Sequence, residues 1–251
     1  MECEIKNTKT FKFVKILGTR VDNFSKEEIL EKIEFFLRED TFHQIVTVNP
    51  EFILHAQEDE EFRTIINQSS LNIADGIGLK YAFFLHRKWL KKRIAGADLM
   101  HEILRLTNDR KLSVLLAMRK DGLSSYEELV GVLKKMYPDI IFSGIEIDLD
   151  GYASYSIGDA GDDILLCNLG APFQEKFIFH QKSANIRLAM GVGGSFDFVT
   201  EKILRAPKPF RFIGLEWLWR LAQQPLYRHK RVFNAIFLFT FSLIKNIWKK
   251  Y

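Results

Sequence analysis

An α/β fold is expected, with a mostly parallel sheet covered by helices on both faces. Short β-branched apolar runs alternate with amphipathic runs through residues 1–204. Those strand-like runs are continuously apolar instead of alternating, which marks strands buried on both faces, as in parallel sheets sandwiched by helices. The charge then changes sign. Residues 205–251 carry ten Lys and Arg against one acid, Glu216, with eleven aromatics among them. This segment alone is +9 and the whole chain +4, which leaves residues 1–204 at −5. The pattern reads as a Rossmann-like domain, 1–204, plus a C-terminal helical membrane-docking appendage, 205–251.

Each element has its own signal. Phe11–Leu17 reads as a strand ended by Gly18. Ser25, with Glu28 three residues on, forms a capping box that opens the helix KEEILEKIEFFLRE. Gln44–Asn49 is a buried strand, Pro50 starts a helix at its favoured first position, and a further helix is expected from about Glu58. Leu71–Asp75 is a third strand, closed by Gly76-Ile77-Gly78 and a helix through Leu85. A helix near Ala97–Thr107 precedes the strand Lys111–Met118. SSYEELVGVLKKM is an amphipathic helix stopped before Pro138. Asp139–Glu146 and Asp162–Gly170 are strands, a helix follows Pro172, and Asn185–Gly194 is a strand entering a glycine-rich turn. The composition shift at Arg205-Ala-Pro-Lys-Pro sets the domain boundary.

Cys3 and Cys167 are the only cysteines, and neither belongs to a C-x-x-C. No disulfide framework is implied, which fits a reducing cytoplasm. The N-terminus lacks the apolar stretch of a secretory signal. The longest uncharged run, Val232 to Ile244, has 13 residues, against about 20 for a helix that spans a bilayer. Lys and Arg bracket it, and Trp248 and Tyr251 are placed to sit at headgroup depth. An interfacial helix on an anionic membrane is preferred over a buried helix. Nucleic acid is disfavoured as a partner, because no recognised nucleic-acid motif accompanies the basic aromatic tail.

Polar residues gather at the strand ends, where ligands bind in parallel sheets. Thr47 and Asn49 close the second strand, Asp75 the third and Asn168 a later one; Gly191, Gly193 and Gly194 follow the last. Any one of these is an ordinary turn former, but four ends in one sheet converge on a single cleft. Asp75 suits a helix N-cap or a general base. The G-V-G-G turn offers N–H groups to a phosphate. It is not G-x-G-x-x-G, so a nicotinamide oxidoreductase is disfavoured. Asp148-Leu149-Asp150 is a weak match to a metal-binding acidic pair in a surface turn, and the six histidines form no ligand-like cluster, so no metal and no cofactor are expected. Neither a G-x-S-x-G nor a P-loop is present.

Taken in order, T-V-N-P-E-F (Thr47–Phe52), A-D-G-I-G (Ala74–Gly78), R-I-A-G-A-D-L (Arg93–Leu99), L-G-A-P-F-Q-E (Leu169–Glu175), G-V-G-G-S-F-D (Gly191–Asp197), R-A-P (Arg205–Pro207) and G-L-E-W-L-W-R-L (Gly214–Leu221) resemble the WecG/TagA/CpsF glycosyltransferases, glycosyltransferase family 26. The resemblance covers roughly Val14 to Arg231. It implies an inverting, metal-independent transferase, peripheral on the cytoplasmic face of the bacterial membrane. The enzyme would move an N-acetylmannosamine-type sugar or related hexose from a UDP donor to a polyprenyl-pyrophosphate-linked sugar, in teichoic acid, capsule or related polysaccharide synthesis. The resemblance makes Asp75 the base, beside Thr47, with Arg228 and Arg231 closing over the reaction. Asn49, Arg93, Gln174, Gly191, Gly193, Gly194 and Arg220 would bind substrate. A homo-oligomer is expected away from the membrane. Phe173 stands where the family usually has Lys, which removes a charge near the donor pocket, and Thr200-Glu201 replaces a small residue plus Gly. A non-catalytic nucleotide-binding or membrane adaptor on the same fold is the alternative.

Overall fold

The computed structural model describes residues 12–158, 161–182 and 185–248, the side chains of 227, 228, 230, 231 and 247 excepted. Its centre is a six-stranded, wholly parallel sheet: β3 (His43–Val48), β4 (Leu71–Ala74), β5 (Ser113–Arg119), β6 (Ile141–Ile147), β7 (Ile164–Cys167) and β8 (Leu188–Gly191). The spatial order is β4-β3-β8-β7-β5-β6. The chain builds outward from β3 to β4, crosses to β5 and β6, and fills the middle with β7 and β8. Loops from the first and last strands of the sheet therefore meet where β3 pairs with β8, His43 opposite Leu188 and Ile45 opposite Met190.

Both faces are covered. On one, α1 (Lys26–Phe36), α5 (Gly96–Arg110), α6 (Tyr126–Met136) and α8 (Ser195–Val199) bury Ile33, Ile103, Leu133 and Phe196 against Ile45, Leu116 and Met190. On the other, α2 (Pro50–Glu58), α3 (Glu60–Gln68) and α4 (Ile77–Leu85) bury Ile53, Phe62 and Phe83 against Val46 and Val48. Beyond them, α7 (Phe173–His180) covers Leu165 and Ala189 with Phe177 and Ile178. Successive residues of β5 point to opposite cores, Val114 and Leu116 to one and Leu115 and Ala117 to the other. That is why its sequence is apolar throughout. Capping boxes start α1 at Ser25–Glu28 and α6 at Ser125–Glu128.

Three expectations need correction. The first strand, β1 (Phe13–Ile16), lies outside the main sheet and pairs antiparallel with β2 (Thr19–Asp22), a strand not anticipated because TRVD is short and half polar. No α-helix joins β6 to β7; a 3-10 turn, Leu149–Ser154, does so, and Asp148 caps it by accepting from Asp150 N at 3.1 Å. The preference for an interfacial C-terminal helix over a buried one is too sharp. After α9 (Lys208–Ile213), α10 (Glu216–Gln223) and α11 (Pro225–Phe233), a π-helical turn leads into α12 (Phe239–Trp248). There Phe239 and Leu243 are buried in the core over α2 and α4, while Phe241 and Trp248 are exposed. Among the described residues no helix is long and apolar enough to cross a membrane.

Candidate active site

The site is assembled at the carboxyl edge of β3, β4 and β8. Leu90 belongs to the core on one side of the sheet and Ile94 to the core on the other, so the α4–α5 connection wraps the carboxyl end of edge strand β4. Ile94 N donates to Ala74 O at 3.1 Å. This wrap lowers Arg93 and the start of α5 onto Asp75, the residue that follows β4.

Asp75 does not cap the helix beside it: Gly76 is the N-cap of α4, with a φ of 87° that suits glycine and no side-chain bond. Its carboxylate instead accepts from Gly96 N, the first residue of α5, at 3.3 Å. Arg93 Nη1 stands 3.9 Å from Asp75 Oδ1. The side chain keeps 28% of its surface open, so it is both enclosed and reachable. Burial pushes its pKa up to about 6, against the pull of Arg93, the Gly96 N–H and Arg220; Glu216 adds to the rise. Desolvation dominates because an ionised carboxylate loses more by leaving water than one partner at 3.9 Å returns.

Thr47 is buried in β3 beside Asp75's loop, and a Cβ on Gly96 would lie 3.2 Å from its hydroxyl. Glycine there lets α5 approach the strand end. Asn49 is the N-cap of α2, accepting from Glu51 N at 2.9 Å and Phe52 N at 3.1 Å. Arg93 also donates through Nη2 to Arg211 O of α9 at 2.8 Å. The start of the C-terminal segment is thereby a wall of the site.

The opposite wall is the turn after β8. Gln174 is buried, and its Oε1 accepts from Gly170 N at 3.1 Å and Gly193 N at 3.0 Å, clipping the loops after β7 and β8 together. Gln174 Nε2 donates to Glu175 Oε1 at 2.6 Å. Gly191 has no room for a side chain, since a Cβ would meet both residues at 2.3–2.6 Å. The expected open N–H cradle is therefore narrower than the glycines suggest. Val192 N bonds to Cys167 O, Gly193 N to Gln174 and Ser195 N to Val192 O. A Cβ on Gly194 would lie 2.9 Å from Arg220 Nη2, and the Arg220 guanidinium sits 5.0 Å above the Phe198 ring. Arg220 thus reaches the glycine turn while its charge is felt at Asp75.

Thr47, Asp75, Arg93, Gly193, Gly194 and Arg220 come together in this way. Asn49 and Gln174 stand behind them, shaping loops. Arg228 and Arg231 fall on α11, and their side chains lie outside the described residues. Phe173 packs edge-on against Tyr152 at 5.2 Å. Three participants were not singled out from sequence: Gly96, Glu216 and Glu175. Burial pushes the Glu175 carboxyl up to about 8. Among the described residues no group of three or more His, Cys, Asp and Glu could hold a metal ion.

The profile of the family described as "Glycosyl transferase WecG/TagA/CpsF family" matches residues 14–251. This chain belongs to the WecG/TagA/CpsF family of glycosyl transferases. Two relatives named N-acetylglucosaminyldiphosphoundecaprenol N-acetyl-beta-D-mannosaminyltransferase illustrate the similarity. The protein of Bacillus subtilis (strain 168) is 32% identical over 198 residues, 76% of this chain and 75% of its own length. That of Staphylococcus aureus (strain MRSA252) is 34% identical over 215 residues, 82% of this chain and 83% of its own.

Proposed function

We propose that this member of the family transfers an N-acetylmannosamine-type sugar from a UDP donor to N-acetylglucosaminyl-diphospho-undecaprenol, with inversion, at the cytoplasmic membrane face, in teichoic acid or related polymer synthesis. The names of the relatives support the acceptor and the sugar. The observation that carries the mechanism is Asp75: a half-enclosed carboxyl with a pKa of about 6, at a strand end, between Thr47, Arg93 and the glycine turn. A base poised near neutrality is largely ionised at pH 7 yet still accepts a proton in the transition state. Asp75 takes the proton from the acceptor hydroxyl as its oxygen attacks the anomeric carbon. The bond to UDP breaks on the opposite side, and the departing diphosphate gains charge. Arg220, with Arg228 and Arg231 from α11, meets that charge in place of a divalent ion, because a guanidinium pairs two phosphate oxygens at once. Arg93 holds Asp75 and anchors α9; Gln174 and Asn49 keep the loops in place.

The test is UDP release and disaccharide-lipid formation from UDP-N-acetylmannosamine and a water-soluble, short-chain acceptor. Asp75→Asn is expected to lose about a hundred-fold or more in kcat with an unchanged fold, and EDTA is expected to leave the wild type unaffected. Wild-type rates in Asp75→Asn, or activity that stops with chelator, refute the mechanism.

A further inference from the structure

The body of the protein is acidic overall, yet residues 76–97 contain Lys80, Arg87, Lys88, Lys91, Lys92 and Arg93 and no acid. The same stretch places two large aromatic side chains in the open, Phe84 at 67% and Trp89 at 72% exposure. Between them runs a shallow groove of about 610 Å³ lined by Phe84, Leu85, Arg87, Lys88 and Trp89. Lys80 Nζ sits 5.7 Å from the Trp89 ring centre. Exposed aromatics collected on one face of a protein mark a contact surface.

This surface is continuous with the C-terminal segment. A Cβ on Gly214 would lie 3.1 Å from Ile77, and one on Gly78 would lie 3.6 Å from Phe239. α4 is therefore flanked by α9, whose Phe212 is 90% exposed, and by α12, whose Phe241 is 66% exposed. It also begins two residues after Asp75, at the edge of the crevice.

We propose that α4 and the loop through Lys92 form a second membrane contact, which takes up the headgroup region of a bilayer rich in acidic phospholipid. The inference rests on the reading that the acceptor is membrane-linked, and it adds a surface outside the C-terminal segment. Trp89 and Phe84 sit at the headgroup–acyl boundary, where a flat aromatic side chain is favoured, and Lys80 and Lys92 meet lipid phosphates. A second copy of this chain fits less well: Lys91 already pairs with Glu28 and Arg93 with Asp75, but paired across a two-fold axis the patch would still set exposed Lys80 and Lys92 against the same side chains of the other copy. Held this way, the crevice opens along the bilayer surface, so a lipid diphosphate reaches Asp75 without leaving the membrane.

The experiment is co-sedimentation of the full chain with vesicles of phosphatidylglycerol and phosphatidylcholine, and of phosphatidylcholine alone. The variants are Phe84→Ser with Trp89→Ser, and Lys80→Ala with Lys92→Ala; all four positions are exposed. Wild type is expected to bind the acidic vesicles selectively. Each lysine removed is expected to weaken that binding by about five-fold, and the aromatic pair by about ten-fold or more. Melting temperature and turnover of a water-soluble short-chain acceptor stay at wild type, whereas turnover of undecaprenyl-linked acceptor in vesicles falls. Wild-type vesicle binding by both variants overturns the proposal. So does a change confined to self-association in analytical ultracentrifugation, which assigns the face to a second copy. Should the wild type turn over no acceptor, the transferase reading fails, and vesicle binding still decides this one.

Discussion

Asp75 occupies a place where its ionised form is disfavoured, and that has opposite consequences for activity and stability. The proposed mechanism needs the carboxylate, so kcat/KM is expected to fall about ten-fold per pH unit below about 6. Arg93 lowers this pKa, so Arg93→Ala is expected to move the acid limb of the pH–rate profile to higher pH; an unmoved limb shows that Arg93 acts only through α9. The folded state holds the Asp75 proton more tightly than the unfolded chain, so this residue's contribution to stability is lost as pH rises from about 4 through about 6. Glu175 follows the same sign at higher pH. Its pKa rises from 4.5 to about 8 through burial, so stability falls with pH across that window by up to about 1.4 kcal/mol per unit. Glu175→Gln keeps the shape and is expected to flatten this slope in chemical denaturation at pH 5, 6, 7 and 8. An unchanged slope means the carboxyl is already ionised at neutral pH. Asp75 was legible in sequence as a strand-end acid, but not that its bond partner is α5 instead of the adjacent α4. The carboxylate meets Gly96, 21 residues on, through a loop whose path no local signal gives.

The elements that carry their own chemistry were readable, and those defined by neighbours were not. α1 and α6 announce themselves through Ser-x-x-Glu, and the sheet through its apolar runs, because caps and two-sided burial are written locally. The strand order is not written there. Nor is the pairing of β1 with β2, whose half-polar residues satisfy a hairpin at the periphery. Gln174 reads as a ligand-facing polar side chain, and only the tertiary approach of the β7 and β8 loops turns it into a clip. α12 shows the same limit. Its uncharged run suggests one apolar helix, yet it has two kinds of apolar residue: Phe239 at 1% and Leu243 at 0% exposure, against Phe241 at 66% and Trp248 at 79%. Phe239→Ala is expected to destabilise the domain by about 3–5 kcal/mol, the range for a large aromatic removed from a core. Phe241→Ala is expected to leave the melting temperature within about a degree and to weaken vesicle binding instead. Equal effects of the two on melting remove the distinction between a packed and a lipid-facing side of this helix.

Across the whole molecule, the C-terminal segment is attached to the rest at several places, among them Phe239 and Leu243 in the core, Arg93 to the Arg211 carbonyl, Arg205 Nη2 to Asp98 at 2.8 Å and Arg220 over the Phe198 ring. It supplies a wall of the site through Arg211, Glu216 and Arg220. The division at residue 205 is therefore a division of charge and composition, with packing and the site running across it. Truncation after Leu204 removes all of these attachments at once. It uncovers α2 and α4 where Phe239 sat, adding fresh apolar surface beside Ile77 and Tyr81, which are already 38% and 43% exposed. Such a chain has two ways to hide that surface: looser packing or another copy of itself. Sedimentation velocity over a concentration series is expected to show self-association of the truncated protein. Turnover of soluble acceptor is expected to fall by at least about a hundred-fold, since the arginines proposed to meet the leaving diphosphate are gone. Adding Phe83→Ser to the truncation would only unfold the domain, because Phe83 is fully buried. Tyr81→Ser is the useful second change: it lies on the exposed side of α4, and it is expected to return the truncated protein toward monomer without restoring turnover. A truncated protein that stays monomeric and active shows that the segment is an anchor alone, and that the crevice around Asp75 is complete without it.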